Sequence, residues 1–262
     1  MASASPSYLA TVDGRGINCP NLANAIHATI ARAKAGGPFT VFTLNLDHLV
    51  KLRRNPAFRT AYANADIVTA DGAPVAWLAR TQNASIERTT GADLLVPLVE
   101  AAAEARLPIF MFGSSPDVMA RAGRELGERT DGLLDIAGTL SPSDGFDPAG
   151  PEADAAIARI KQSGARLVFV ALGAPKQEVF AERARAQGVA CGFVCIGAAL
   201  DFIAGTQIRA PQAMRDNGVE WIWRLATNPR RLFRRYAECG GLLLDLVLIA
   251  PLRDRAQRTR SA

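Results

Sequence analysis

Apolar and polar residues follow one another along most of the chain in two rhythms. Short apolar runs at residues 40–44, 67–69, 108–112, 133–137, 167–172 and 189–196 predict buried strands. Between them, apolar residues recur with a helical period at residues 22–33, 47–54, 74–80, 92–106, 116–129, 151–163 and 175–187, which predicts helices. Several of these begin with proline or an acidic residue, the residue types that a first helical turn favours. Strands alternating with helices predict an α/β fold: a Rossmann-like, mostly parallel sheet with helices on both faces. The alternation stops at residues 204–211. The chain is therefore expected to divide into an α/β core, residues 1–208, and a helical appendage, residues 209–262.

Open α/β sheets bind ligands in the crevice beyond the carboxyl ends of their strands. The residues falling there are Thr43 and Asn45, Asp71 in TADGAP, Gly113, the group Gly173, Lys176 and Gln177 in GAPKQE, and Gly197. Asp71 is the one acidic residue at these strand ends. It reads either as a turn or helix-cap residue, since Asp-Gly is common turn chemistry, or as a general base, since a carboxylate shielded from water can hold a raised pKa and take a proton from a hydroxyl. Lys176 opens a helix, where the dipole disfavours a cation. It reads either as a solvated first-turn residue or as a partner for an anion held at the helix start. Gln177 can donate and accept toward a sugar hydroxyl, while Glu178 fits a first helical turn and needs no further role, though it could orient Lys176. Arg88 reads as a solvated loop residue or as a phosphate clamp in the same crevice.

The two histidines, His27 and His48, lie in helical patterns and read as ordinary helix residues, which argues against a Ser-His-Asp or Cys-His site. The sequence contains no P-loop, no H-E-x-x-H, and no G-x-G-x-x-G after a strand. It also lacks an Asp-x-Asp pair for a metal-bound nucleotide diphosphate, so neither metal nor cofactor is expected. If a diphosphate leaves here, cationic side chains and helix N-termini would have to stabilise it.

Charge changes the picture at the C-terminus. The net charge of the 262 residues is +5. From Arg209 onward there are 11 arginines and 5 acidic residues, and before it 19 basic and 20 acidic residues, so the whole excess lies in the tail. Trp221, Ile222, Leu225, Leu232 and Phe233 could line an apolar stripe beside Arg224, Arg230, Arg231, Arg234 and Arg235. This segment reads as an amphipathic helix pair packed on the body or as a helix resting on an anionic membrane. Nucleic-acid binding is a further alternative, which a mixed Trp/Leu/Phe face suits less well than lipid. The apolar stretch at residues 240–252 contains Asp245 and is short for a span, which needs about 20 apolar residues. The start, MASASPSYLA, carries no signal-peptide pattern. The cysteines, Cys19, Cys191, Cys195 and Cys239, have no zinc spacing and read as reduced, buried thiols of a cytoplasmic protein.

In order along the chain stand T-L-N-x-D (Thr43, Asn45, Asp47), A-D-G (Ala70 to Gly72), E-R-x-x-G-x-D-L (Glu87 to Leu94), G-x-P-K-Q-E (Gly173 to Glu178), A-G-x-x-x-R-A-P (Ala204 to Pro211), E-W (Glu220, Trp221), and R-L-x-x-x-P-x-R with R-Y (Arg224 to Arg231, Arg235-Tyr236). Together they resemble the WecG/TagA/CpsF glycosyltransferases. The resemblance implies the fold class called GT-E, an α/β core with a C-terminal membrane-binding appendage. It implies an inverting, metal-independent enzyme that moves a hexose (N-acetylmannosamine, its uronate, glucose or a similar sugar) from a UDP-sugar to a sugar on undecaprenyl diphosphate. Such products feed exopolysaccharide, capsule or cell-wall polymer synthesis. NLDHLVKLRR looks most like the exopolysaccharide branch.

By the same resemblance, Asp71 matches the catalytic base, and Thr43, Asn45, Arg88 and Gln177 match pocket residues. Gly113, Gly173, Lys176, Gly197 and Asp201 fall in the substrate site. Arg224, Arg231 and Arg235 match arginines that meet the lipid diphosphate. Leu200 stands where the family usually has an aromatic before the aspartate. The implied location is the cytoplasm, peripherally on the inner leaflet of the cytoplasmic membrane, without nucleic acid and with a homo-oligomer as an open option. The rival reading is a nucleotide-sugar binding protein without catalysis.

Overall fold

The computed structural model describes residues 8–227 and 229–249. A small antiparallel hairpin comes first, β1 (Ala10–Val12) and β2 (Arg15–Ile17). Its turn is Asp13-Gly14, with φ of 50° and 68°, the left-handed pair that two-residue hairpin turns use. The chain continues through α1 (Leu22–Ala35), β3 (Phe39–Leu44), α2 (Leu46–Arg54), α3 (Pro56–Ala63), β4 (Ile67–Ala70), α4 (Ala73–Arg80), α5 (Gly91–Glu104), β5 (Ile109–Gly113) and α6 (Pro116–Arg129). It goes on through β6 (Ile136–Leu140), α7 (Pro151–Ser163), β7 (Leu167–Ala171), α8 (Lys176–Ala186), β8 (Gly192–Cys195) and α9 (Ala199–Ile203). Helices α10 (Gln212–Asp216), α11 (Glu220–Thr227) and α12 (Pro229–Leu244) follow, and Asp245–Ile249 winds on as a π-helix.

Strands β3 to β8 form one parallel sheet in the order β4-β3-β8-β7-β5-β6. Both faces are buried, and the alternation of side chains sorts the core into two layers. Phe42, Val68, Phe110, Val168 and Phe193 face one layer, and Val41, Ile67, Met111, Phe169 and Val194 face the other. This is why the strands read as continuous apolar runs. On the first face, Phe180 of α8 packs among Phe112, Phe146 and Phe193, with ring centroids 4.4, 5.9 and 6.2 Å away. Burying one such ring contributes about 1.5–3 kcal/mol. It also fixes the start of α8 at the sheet's carboxyl edge.

The expected mostly parallel sheet with helices on both faces is present. Three features were not foreseen: the β1–β2 hairpin, α3 and the short helix α9. Asn55 both ends α2 and caps α3, its side chain accepting from the Phe58 N–H at 3.0 Å, with Pro56 in the first turn. The strand expected at 133–137 forms at Ile136–Leu140 instead. It is an edge strand paired only with β5, with an irregular register beside Ile109, and the apolar Leu133 before it stays exposed.

Candidate active site

Strands β4, β3, β8 and β7 are consecutive neighbours in the sheet. Their carboxyl ends therefore bring Asp71, Thr43 with Asn45, Gly197, and the Gly173–Gln177 segment to one rim. Asp71 turns toward its neighbours on β3. Its Oδ2 accepts from Thr43 Oγ1 at 3.2 Å and from Asn45 Nδ2 at 3.1 Å. Its backbone N–H extends the β3–β4 pairing by donating to Leu44 O at 2.8 Å. The cap that the sequence allowed for Asp71 does not form: Gly72, at φ 76°, occupies the N-cap of α4 without a side-chain hydrogen bond.

Burial pushes the Asp71 carboxyl above its ordinary value of 3.8, against the pull of Asn45, Arg224 and Thr43. The negative charge of Glu220 adds to the rise. A carboxylate so placed is a stronger base than a solvated one.

A buried cluster beneath Thr43 fixes the end of β3. Tyr62 Oη donates to Thr43 O at 2.6 Å, and His48 Nδ1 lies 2.8 Å from both that carbonyl and the hydroxyl. Burial lowers the His48 pKa to about 4, so the ring is neutral near pH 7. His48 and Tyr62 hold the backbone that carries Thr43, a role the helical pattern alone did not disclose.

Gln177 is buried at the second residue of α8. Its Oε1 accepts the Gly197 N–H at 3.1 Å, and its Nε2 donates to Glu178 Oε1 at 2.8 Å. The amide therefore ties β7's loop to β8's loop. Glu178 is fully buried, its Oε2 without a hydrogen-bond partner, and burial raises its pKa to about 7. Lys176 opens α8 and is exposed, as is Gly173. Gly113 has φ 107°, and a Cβ there would stand 2.5 Å from Ala171 O. Close approach of β5 to β7 thus accounts for this glycine. Asp201 lies on α9, where its backbone carbonyl accepts from Thr206 and Gln207 and its Oδ1 from Thr206 Oγ1.

Arg88 sits beside Ala70 in a short parallel bridge, one residue from Asp71. Its Nη1 lies 3.6 Å from Asp93 Oδ2. Asp93 belongs to the capping box of α5 with Thr90, and it also pairs with Arg209. Burial alone would raise the Asp93 pKa, but Arg209 and Thr90 bring it below its ordinary value. Two arginines sharing one carboxylate leave this corner of the rim with surplus positive charge.

A cleft of about 470 Å³ opens between the loop after α9 and the last helices. Arg209, Arg224 and Arg235 line it together with Phe202, Trp223 and Tyr236. Arg224 donates to Glu220 Oε1 at 2.8 and 3.0 Å and lies 5.6 Å from the Phe202 ring centroid. Arg235 Nε lies 2.7 Å from Asp47 Oδ1. The Arg231 side chain lies outside the described residues. No described helix is long and apolar enough to cross a membrane. Among the described residues, no group of three or more His, Cys, Asp or Glu is placed to hold a metal ion.

The rim of this parallel sheet thus presents the Asp71 carboxylate, hydrogen-bonded to Thr43 and Asn45, with Arg88 on the adjoining bridge. A family model for the glycosyl transferase WecG/TagA/CpsF family matches residues 10–258. The chain belongs to that family, and is thus a glycosyltransferase of polysaccharide synthesis. The family implies a nucleotide-sugar donor and a lipid-linked acceptor.

Proposed function

We propose that the protein is an inverting, metal-independent hexosyltransferase that moves a sugar from a UDP-sugar to a sugar carried on undecaprenyl diphosphate. The observation that supports this most is the Asp71 carboxylate, held by Thr43 and Asn45, made more basic by burial, and within the electrostatic reach of cleft-lining Arg224. Asp71 takes the proton of an acceptor hydroxyl. The freed oxygen attacks the anomeric carbon from the face opposite UDP, the bond from that carbon to the diphosphate breaks, and UDP leaves with the electron pair. Arg88, Lys176 and the N-termini of α5 and α8 oppose the charge growing on the leaving diphosphate. Gln177 and Gly197 shape the sugar pocket with Gly113, Gly173 and Asp201.

In this reading, residues 209–262 form the appendage that meets the acceptor. Arg224 and Arg235 face its diphosphate, and Arg231 is assigned to the same contact from the family motif alone. Exposed Ile208, Trp221, Ile222 and Phe233, interspersed with exposed Arg230 and Arg234, rest on the inner leaflet of the cytoplasmic membrane. The test is transfer of radiolabelled sugar from a panel of UDP-sugars to a lipid-diphosphate-linked acceptor sugar. Labelled lipid product without added metal supports the proposal. A protein that binds UDP-sugars yet labels no acceptor is a binding protein, not this enzyme.

A further inference from the structure

We propose that Asp47 is a positioning residue that serves both halves of the site at once, aiming Arg235 into the cleft and, through Lys51, holding the loop that leads to Gln177. This rests on the acceptor reading given above. Asp47 lies in the first turn of α2, two residues after Asn45, and its side chain is only 9% exposed. One carboxylate oxygen, Oδ1, stands 2.7 Å from Arg235 Nε of α12. The other, Oδ2, stands 2.7 Å from Lys51 Nζ, one turn along the same helix. Lys51 Nζ also donates to Ala174 O at 2.9 Å, in the segment between β7 and α8. A single buried charge thus joins α2, the start of α8 and the last helix.

The geometry at Arg235 divides the work of its guanidinium. Nε is taken by Asp47, while the residue lines the cleft and its side chain is 41% exposed. Among the described residues its two Nη nitrogens make no hydrogen bond, which leaves them for an anion, in the planar fork that suits phosphate oxygens. Without Asp47, Arg235 would have a long, free stem and would lose side-chain entropy on meeting a ligand. α12 has other ties to α2 that do not touch the cleft, among them Arg54 Nη1 to Glu238 Oε2 at 3.0 Å. These make it possible to separate the aiming of Arg235 from the mere docking of the helix.

The experiment is calorimetric titration of the full chain with farnesyl diphosphate as probe, for wild type, Asp47→Asn, Arg235→Lys, the double variant and Arg54→Gln. Asp47→Asn and Arg235→Lys are each expected to weaken binding about tenfold, the latter although it keeps its charge, because an ammonium cannot hold Asp47 and present a fork. The double variant is expected to bind within about twofold of the weaker single variant, since both changes break one unit. Arg54→Gln is expected to stay within about twofold of wild type. Equal loss in Arg54→Gln, additive losses in the double variant, or unchanged binding in Asp47→Asn would each overturn the inference. If Asp47→Asn does not fold, Arg235→Lys decides: wild-type affinity overturns it, and a tenfold loss supports it. Wild-type protein that ignores the probe overturns the acceptor reading itself, and this inference with it.

Discussion

Asn45 serves Asp71 and its own helix with the two ends of one amide. Its Nδ2 donates to Asp71 Oδ2 at 3.1 Å, while its Oδ1 accepts the His48 backbone N–H at 3.0 Å and so caps α2. The amide cannot flip without losing both bonds, because each end matches one partner only. The orientation of the carboxylate is thereby fixed by the helix start beside it.

Substitution separates the two jobs. Asn45→Ala loses the cap, which typically costs about 0.5–2 kcal/mol, and frees the Asp71 carboxylate. Asn45→Asp keeps a capping oxygen but sets a second negative charge against Asp71, raising its pKa further. Denaturant melts are expected to show Asn45→Ala as the less stable of the two. Transfer assays across pH are expected to show the acid limb of Asn45→Asp displaced to higher pH than in wild type.

Glu178 predicts a stability trend with a definite sign. Its folded pKa, about 7, lies above the ordinary 4.5. The folded state therefore binds this proton more tightly than the unfolded chain, and the contribution is lost as pH rises from about 4.5 to about 7. His48 works in the opposite direction: its folded pKa of about 4 lies below the ordinary 6.5, so its contribution is lost as pH falls through that window. The informative quantity is the difference between wild type and Glu178→Gln, which keeps an oxygen to accept from Gln177. The unfolding free energy, from denaturant melts, is expected to move in favour of the variant as pH rises from 5 to 8, by about 1.4 kcal/mol per unit of the removed shift. A difference that stays flat with pH would contradict the burial assigned to Glu178.

Most of the sheet was legible because β3, β4, β5, β7 and β8 are buried on both faces and show as apolar runs, whereas the half-buried edge strand β6 lies three residues later than its run suggested. Asp71, Thr43 and Asn45 were legible as strand-end residues, and their hydrogen bonding followed from β3 lying beside β4. Other features were hidden for separate reasons. The β1–β2 turn, Asp13-Gly14, carries a hairpin signal, but its flanking strands are only 3 residues each and lack a long alternation. Helix α3 was masked because Asn55 ends one helix and begins the next, leaving no polar gap. Glu178 resembled any acidic first-turn residue, and only the packing of Phe180 places it in the interior. The pairing of Asp47 with Arg235 joins residues far apart in sequence, and no local pattern encodes such a contact.

The charged face of the last helix makes its own prediction. Arg230 and Arg234 are exposed, and neither lines the cleft. An arginine near an anionic bilayer contributes about 1 kcal/mol, so Arg230→Gln with Arg234→Gln is expected to weaken binding to phosphatidylglycerol vesicles roughly 30-fold. Flotation at low and high salt reads this directly, and salt is expected to weaken the wild type toward the variant. Vesicle binding that ignores both the substitutions and salt would place the membrane contact elsewhere.

The most direct test of the account is the pH dependence of sugar transfer by wild type and Asp71→Asn. In wild type, the rate is expected to fall as pH drops through a pKa above 3.8, because only the ionised carboxylate can take the acceptor proton. Asp71→Asn is expected to fold, to lose that acid limb, and to transfer about 10²–10⁴-fold more slowly. Near-full turnover by Asp71→Asn, with the limb still in place, would contradict the role given to Asp71.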